Sequence, residues 1–229
     1  MAEGIVARGK KTVIRWFERK DADRRDQWPK HSDPLYSHND PRPMSSRERD
    51  LWFLDRSVAS AYRMFAIDDL QGEMIGWITL RNINLEAGTS VLGIALNPLK
   101  MGQGYGTDAM MAFLESYFSS MGFKEMWLDV AAFNVRAMRC YEKCGFRYVG
   151  QHWTEHPSSL FPPVFSDARY REVVQYFRRS LLGIEVLYYD MVVDRSAYVR
   201  ARGAADRGEQ ADEAEKVEKP ATRRVARWQ

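Results

Sequence analysis

Three glycines at alternate positions near the middle of the chain could bind a phosphate. The segment 97–106 reads Asn-Pro-Leu-Lys-Met-Gly-Gln-Gly-Tyr-Gly and lies between an apolar run of strand character and apolar residues at helical spacing. Because glycine has no Cβ, the backbone can turn sharply there and bring successive N–H groups close to an anion. The following helix would add the positive end of its dipole. The segment predicts a phosphate-binding loop, although the same glycines would also suit a simple flexible turn.

A second polar pattern follows downstream, at Asn134, Ala137 and Tyr141. Asn134 is well placed to cap a helix over 135–143, which would end at Gly145. Tyr141 would lie in the last turn of that helix, where a tyrosine either packs as a core aromatic or offers its hydroxyl as a proton donor. The residues by themselves leave both roles open.

The composition bounds the class of protein. With 229 residues, 45% of them hydrophobic, the chain can form one globular domain with appendages. The net charge of +3 comes from arginines mixed with acids, which gives no reason to expect nucleic-acid binding. The chain has neither an apolar run of membrane-spanning length nor a signal-peptide centre, so we expect a cytoplasmic protein without a membrane partner. Cys140 and Cys144 are expected to be core thiols rather than a disulfide or metal ligands.

Hydrophobic periodicity predicts alternating strands and helices. Strand, helix, strand, helix and strand across 90–150 imply a right-handed crossover and a partly parallel sheet, so the fold class is α/β or α+β. The proline-rich segment 28–43 should be an ordered loop. The predicted strands are 12–19, 61–67, 73–83, 90–97, 123–131, 146–150 and 184–193, and the predicted helices are 21–27, 45–56, 106–121 and 135–143.

The segment 152–183, before the last strand, is predicted to carry an extra amphipathic helix. Ser166 or Asp167 could cap it, and it would run to about Leu181. Its apolar face would comprise Tyr170, Val173, Val174, Phe177 and Leu181, and its charged face Arg169, Arg171, Arg178 and Arg179. Residues 1–200 would form a single domain, and residues 201–229, rich in Ala, Glu, Lys and Arg, a mobile charged tail.

Both polar patterns together resemble the GNAT superfamily of acetyl-CoA-dependent N-acetyltransferases. The resemblance is carried by Asn97-Pro98, the glycine loop and the stretch 128–150, which reads Leu-Asp-Val-Ala-Ala-Phe-Asn-Val-Arg-Ala-Met-Arg-Cys-Tyr-Glu-Lys-Cys-Gly-Phe-Arg-Tyr-Val-Gly. It covers 62–150 well and implies a mixed central sheet flanked by helices. The sequence looks most similar to the branch that contains ribosomal-protein N-terminal alanine acetyltransferases and relatives that modify polyamines or antibiotics.

The resemblance implies roles for the residues of both patterns. The glycine-loop backbone would bind the CoA pyrophosphate, the strand edge 94–96 would face the pantetheine and the acetyl carbonyl, and Tyr141 would be the general acid. No metal is implied. The family usually has Arg or Gln three residues after the proline, where this chain has Met101, and Lys100 is the nearest substitute charge. The implied acetyl-CoA contacts are Ile94, Ala95, Leu96, Gly102, Gln103, Gly104, Tyr105, Gly106, Thr107 and Asn134.

The implied reaction moves an acetyl group from acetyl-CoA to a primary amine, of a protein N-terminus or a small molecule, by direct attack. A lysine amine titrates near ~10.4, so a base or water relay is useful, and a tyrosine can protonate the departing thiolate, whose parent thiol has a pKa of about 8.5. Glu86, Asp129, His152 and Glu155 are candidates for the base. His31 and His38 are expected to be loop residues, with lining of the acceptor site as the alternative.

Two further alternatives stay open. The chain could be a catalytically inactive CoA-binding relative that acts as a sensor or scaffold, although Tyr141 and Asn134 together argue for catalysis. The helix expected in 152–183 should either roof the acceptor pocket or form a homodimer contact. In the first case its arginines would make the pocket mouth electropositive and disfavour a polycationic acceptor.

Overall fold

The computed structural model describes residues 4–218, and in the last helix it describes side chains as far as residue 207. None of the described helices is both long and apolar enough to cross a bilayer. The strands are β1 (Ile5–Arg8), β2 (Thr12–Trp16), β3 (Arg63–Asp69), β4 (Met74–Asn84), β5 (Thr89–Leu96), β6 (Glu125–Ala131), β7 (Arg147–His156), β8 (Phe177–Arg179) and β9 (Ile184–Asp194). The helices are α1 (Arg19–Asp26), α2 (Ser46–Val58), α3 (Tyr105–Ser119), α4 (Val135–Lys143) and α5 (Arg195–Glu218).

The strands form one mixed sheet in the order β1-β2-β3-β4-β5-β6-β9-β7, with β8 added beside β9. Helix α3 joins β5 to β6, and these two strands pair in parallel. The other described pairings are antiparallel. The predicted crossover, the partly parallel sheet and the α/β class are therefore confirmed.

Local signals explain where the elements begin and end. Ser45 accepts the backbone N–H of Glu48 and the Glu48 carboxylate accepts that of Ser45, a capping box that starts α2. The apolar stripe predicted for α3 is buried in the core at Met110, Phe113, Leu114 and Tyr117. Strand β1 was not predicted, because four residues give too short a pattern to recognise.

Strands β5 and β6 pair over only three residues. Thr89, Ser90 and Val91 pair with 125–127, and the ladder then stops. On its other side β5 stays paired with β4 as far as Leu96, and β6 stays paired with β9 as far as Ala131. The carboxyl ends of β5 and β6 therefore diverge and leave a wedge in the sheet, with the β5 edge over 92–96 unpaired on that side.

The segment 152–183 does not form the predicted helix. It contains 3₁₀ turns at Ala168–Tyr170 and Val174–Tyr176, followed by β8, which pairs with the start of β9. Its aromatic and β-branched residues are weak helix formers, and burial in a cluster approached from several sides outweighs the one-sided pattern. This insertion cluster comprises Leu35, Ala131, Phe133, Phe161, Val164, Tyr170, Phe177, Ile184 and Val186.

Helix α5 passes through the expected domain boundary at residue 200. Tyr198 is buried and donates to the Met111 carbonyl and the Glu115 carboxylate of α3, and Arg202 pairs with Glu115. The start of the expected tail is therefore helical and attached to the domain, while residues 219–229 lie outside the described residues.

Candidate active site

A cavity of about 540 Å³ lies at the wedge between β5 and β6. Its walls are the end of β5, the glycine loop, the first turns of α3, one side of α4 and the loop that follows α1. Ile94 and Leu96 pack against the main core, which α3 covers. Ala95 pairs with Trp77 of β4. Trp77 packs in a third hydrophobic cluster, beside α1 and α2, which is separate from the main core and from the insertion cluster. The wedge thus joins the two faces of the sheet.

The glycine loop has the backbone conformation that only glycine adopts freely. Gly102 has φ +77° and Gly104 has φ +85°, and Gly104 is the N-cap of α3. A Cβ at Gly106 would lie 3.4 Å from Leu96 and 3.7 Å from Cys140. The loop therefore presents backbone rather than side chains to the cavity, at the positive end of a 15-residue helix.

Asp108 fixes this loop to the first hairpin of the chain. Its carboxylate accepts the backbone N–H groups of Lys10 and Lys11, at 2.8 and 2.9 Å, and the Thr12 hydroxyl at 2.6 Å. These contacts bring the Lys11 ammonium to the glycine loop, where it donates to the Gln103 carbonyl at 3.1 Å. Lys11 is a cation that the sequence pattern gave no reason to select, because it lies 92 residues from Gln103.

Lys100 does not replace the charged or polar side chain that the family usually has at the position of Met101. Its ammonium is paired with Glu73 at 2.7 Å and with Asp69 at 3.3 Å, so two carboxylates already neutralise it. Lys11 is better placed than Lys100 to act near the loop.

Helix α4 carries the second polar pattern into the cavity. The Asn134 side chain accepts the Ala137 N–H at 3.2 Å, so it caps the helix as predicted. Tyr141 is buried, packs against Phe146 and lines the cavity. Burial raises the pKa of Tyr141, and its hydroxyl has no hydrogen-bond partner among the described residues. At neutral pH the Tyr141 phenol is protonated, and its O–H group donates to no other described residue.

The two cysteines differ in environment. Both are free thiols, and Cys144 is buried as expected. Cys140 instead lines the cavity beside Thr107, whose hydroxyl donates to its sulfur at 3.4 Å. The hydrogen bond from Cys144 lowers the pKa of Cys140.

The cavity brings most of the predicted site residues together. The lining includes Ile94, Ala95, Leu96, Gly102, Gly104, Gly106, Thr107, Asn134 and Tyr141. Two predicted residues are absent from it. Gln103 turns its side chain back to the Leu99 carbonyl at 2.8 Å, and Tyr105 packs against the main core.

The four candidate bases lie outside this cavity. Glu86 is exposed in the β4–β5 turn, and Glu155 accepts from Ser180. Asp129 and His152 line a second cavity, where Asp129 contacts Arg81 at 3.3 Å and His152 contacts Asp190 at 3.0 Å. None of the four therefore lies beside Tyr141 in the first cavity.

His31 lines the cavity instead. Its Nδ1 lies 2.6 Å from the Asp40 carboxylate, which also accepts the His31 backbone N–H. Because a carboxylate only accepts, the neutral imidazole carries its proton on Nδ1 and keeps a lone pair on Nε2. His38, the other loop histidine, packs against Phe133 and Phe161 outside the cavity lining.

The end of the cavity nearest α1 is aromatic and cationic. Arg25, Trp28, His31, Tyr36 and Trp77 line it. The α4 side adds Arg136, Arg139 and Lys143, and no aspartate or glutamate lines the cavity within residues 4–218. The positive charge therefore comes from α1 and α4, and none of the four arginines predicted to charge the pocket mouth lies in the lining.

The segment 152–183 supports the cavity from behind rather than roofing it. None of its residues lines the cavity. Its cluster packs instead on Leu35 and Tyr36, and the Leu160 carbonyl accepts the Ser37 hydroxyl at 3.1 Å. Because Tyr36 also lines the cavity, the insertion holds one wall of it in place.

Comparisons with known proteins agree with this geometry. Residues 11–147 match the model of the acetyltransferase (GNAT) domain family. A spermidine N(1)-acetyltransferase of Vibrio cholerae is 27% identical over 118 residues, which are 52% of this chain and 64% of that protein. A kanamycin resistance protein of Rhizobium radiobacter is 37% identical over 54 residues, 24% of this chain and 50% of that protein. This chain thus spans less than two thirds of either relative.

Solved structures with the same fold include a spermidine N-acetyltransferase of Vibrio cholerae in complex with CoA and spermine. It has a TM-score of 0.62 and 22% identity, and the match covers 82% of this chain and 98% of that one. A form of that enzyme in complex with manganese ions gives a TM-score of 0.60 at 22% identity, over 83% and 96% of the two chains. At this identity the likeness establishes the fold.

Proposed function

Because the chain belongs to the GNAT acetyltransferase domain family, we propose that it transfers an acetyl group from acetyl-CoA to a primary amine. The observation that carries the proposal is the joining of the glycine loop, the unpaired β5 edge and the Tyr141 hydroxyl in one cavity. Phosphate binding, acyl positioning and proton donation are the three tasks that such a transfer needs.

Each part of the cavity has a proposed task. The backbone N–H groups over 102–107 and the dipole of α3 bind the pyrophosphate, and Lys11 adds a nearby positive charge. The β5 edge at 94–96 offers backbone donors to the thioester and to the oxyanion formed when the amine attacks. The Asn134 side chain, beyond capping α4, contacts the bound CoA.

Tyr141 is the proposed general acid. As the carbon–sulfur bond breaks, its hydroxyl gives a proton to the departing thiolate. What favours this role is position: Tyr141 lines the cavity, and no other described residue takes its hydroxyl proton. Burial raises the pKa of Tyr141, so the phenol is protonated at neutral pH.

His31 is the proposed general base. Asp40 holds the imidazole by Nδ1, which leaves Nε2 to take the proton that the amine nitrogen loses as it forms the new bond. Both side chains are well shielded, at 11% and 13% exposure, so the pair is fixed. A carboxylate that orients a histidine in a cavity is a recurrent arrangement for such a base.

The names of the relatives favour a small-molecule acceptor. The two reported above are named for spermidine acetylation and for kanamycin resistance, rather than for modification of a ribosomal protein. We therefore propose a small amine as the acceptor and place the N-terminal alanine acetyltransferase branch second.

An acetyl-CoA consumption assay against amino acids, polyamines, aminoglycosides and N-terminal peptides tests the activity, and calorimetry with CoA tests the binding site. CoA binding together with amine-dependent release of free thiol supports the proposal. CoA binding with no turnover on any member of the panel would instead favour the inactive CoA-binding relative.

A further inference from the structure

We propose that the acceptor is a small primary amine that carries a carboxylate, and that Arg25 binds this carboxylate. The inference rests on the proposed acetyltransferase function and narrows its substrate class.

Arg25 has no ion pair among the described residues, whereas the two other arginines of α1, Arg19 and Arg24, each have one. No hydrogen bond or salt bridge joins its guanidinium to another described residue, and burial lowers its pKa. The acids around it are already paired. The neighbouring ion pairs are Arg15 with Asp21 and Asp68, Arg19 with Asp23 and Asp50, Arg24 with Asp21, and Arg49 with Asp23 and Asp26.

Two tryptophans hold the Arg25 guanidinium in place. It lies 4.7 Å from the centre of the Trp77 ring and 5.6 Å from that of Trp52. Stacking of this kind orients the planar guanidinium group and leaves the N–H groups at its edge free to bind a ligand. Partial burial of a charged group is costly without an anion to pair with, and a bound carboxylate would supply one.

The position of Arg25 fits recognition of the acceptor rather than of CoA. Trp77 pairs with Ala95 in the β4–β5 ladder, so the ring beneath Arg25 is next to the strand edge proposed to hold the acetyl group. The glycine loop and α4 lie on the side of the main core, while Trp77 packs in the cluster beside α1 and α2. Arg139 and Lys143 lie on α4 and are available to the CoA phosphates, which leaves Arg25 for the acceptor.

The charge of the wall also argues against a polyamine. A polyamine is a multiple cation and needs carboxylates along its path, yet the described lining contains four cations and no acid. A carboxylated amine presents one anion to Arg25 and one amine to His31. The aromatic rings of Trp28, Tyr36 and Trp77 would cover its apolar part.

Matched pairs of acceptors test the inference directly. Phenylalanine and phenethylamine, tryptophan and tryptamine, and lysine and cadaverine differ within each pair only by the carboxylate, and spermidine is added as the polycation. Steady-state kinetics on the full chain should give a kcat/KM at least about tenfold higher for the carboxylated member of at least one pair, since a hydrogen-bonded charge pair contributes about 1.5–3 kcal/mol.

Arg25→Gln should remove this difference by lowering kcat/KM for the carboxylated member about 10–100-fold. The kcat/KM for the other member and the KM for acetyl-CoA should each change less than about twofold. Arg25→Lys should restore part of the preference. Arg24→Gln is the matched control, because Arg24 is the adjacent arginine of α1, is paired with Asp21 and lies outside the cavity lining.

Three results would overturn the inference. They are a wild-type preference for spermidine or for the decarboxylated members, an equal effect of Arg25→Gln on both members of a pair, and acetylation only of amines that lack a carboxylate. Absence of CoA binding by calorimetry would instead reject the proposed function itself, so the two failures are distinct.

Discussion

At the scale of the residue, the cavity separates the two proton transfers of the proposed reaction. Tyr141 on α4 holds a proton that burial retains, and His31 in the loop after α1 holds a lone pair that Asp40 directs. The two groups come from elements on either side of the wedge. A proton can therefore leave the amine and another can reach the sulfur without one residue serving both.

Removing the Tyr141 hydroxyl should slow turnover and leave binding intact. Tyr141→Phe keeps the ring packed on Phe146, so kcat should fall by about 10²–10⁴ while CoA affinity measured by calorimetry changes little. Tyr198→Phe is the control, because Tyr198 is also a buried tyrosine but packs between α5 and α3, where its hydroxyl donates to the Met111 carbonyl. Wild-type turnover in Tyr141→Phe would return this residue to the role of a core aromatic.

Replacing His31 should change the dependence of activity on pH. His31→Gln removes the proposed base, so kcat/KM should fall by about 10²-fold or more and its dependence on pH should change. His152→Gln offers a close comparison, since His152 also contacts an aspartate through Nδ1 but lies in the second cavity. If both variants keep the wild-type pH profile, the base is a water or another group.

At the scale of the element, the glycine loop works through its backbone, and one substitution can test this. Gly104→Val puts a branched side chain at φ +85°, where the N–H groups meet the cavity, and should abolish most CoA binding. Gly72→Val is matched in strain, because Gly72 has φ +81° in the β3–β4 turn with open space around its Cβ position. Calorimetry with CoA should separate the two, and equal affinities in both folded variants would contradict the loop assignment.

The elements also show what the sequence could and could not predict. Helix α4 was predicted over its full span because Asn134 caps it and Gly145 ends it, and both signals are local. The segment 166–181 was mispredicted because Tyr170, Phe177 and their neighbours are buried by contacts from distant parts of the chain. Lys11 reaches the glycine loop and Arg25 reaches the cavity only through the tertiary fold, so no spacing in the sequence singled them out. For His31, lining of the acceptor site was only the alternative to a plain loop residue.

At the scale of the whole molecule, the insertion cluster joins the loop after α1 to β8 and β9 of the sheet. His38 lies within it, donating Nδ1–H to the Leu35 carbonyl and packing on the Phe161 ring. Burial lowers the pKa of His38 from 6.5 to about 4. Because the folded protein holds this histidine neutral, the stability of the fold depends on pH.

Because the pKa of His38 is lower in the folded protein than in the unfolded chain, the direction in which stability changes with pH is fixed. Above pH 6.5 neither state is protonated at His38, and between 6.5 and about 4 the unfolded chain takes up the proton first, so stability falls as the pH falls. The loss should be about 1–3 kcal/mol in urea unfolding between pH 7.5 and 4.5. His38→Asn keeps a donor for the Leu35 carbonyl without titrating in this range, and it should reduce the loss. An unchanged loss in that variant would assign the acid sensitivity elsewhere.

The three-residue contact between β5 and β6 has a consequence for how readily the proposed activity could be redirected to another amine. The edge proposed to face the acetyl group is main chain, held open by ladders on the outer sides of both strands, so a side-chain replacement leaves its backbone donors in place. The wall proposed for the acceptor is instead made of side chains, most of them from the end of α1 and the loop after it. Directed evolution confined to residues 25–41 should therefore exchange one amine for another while the donor half of the reaction is inherited unaltered.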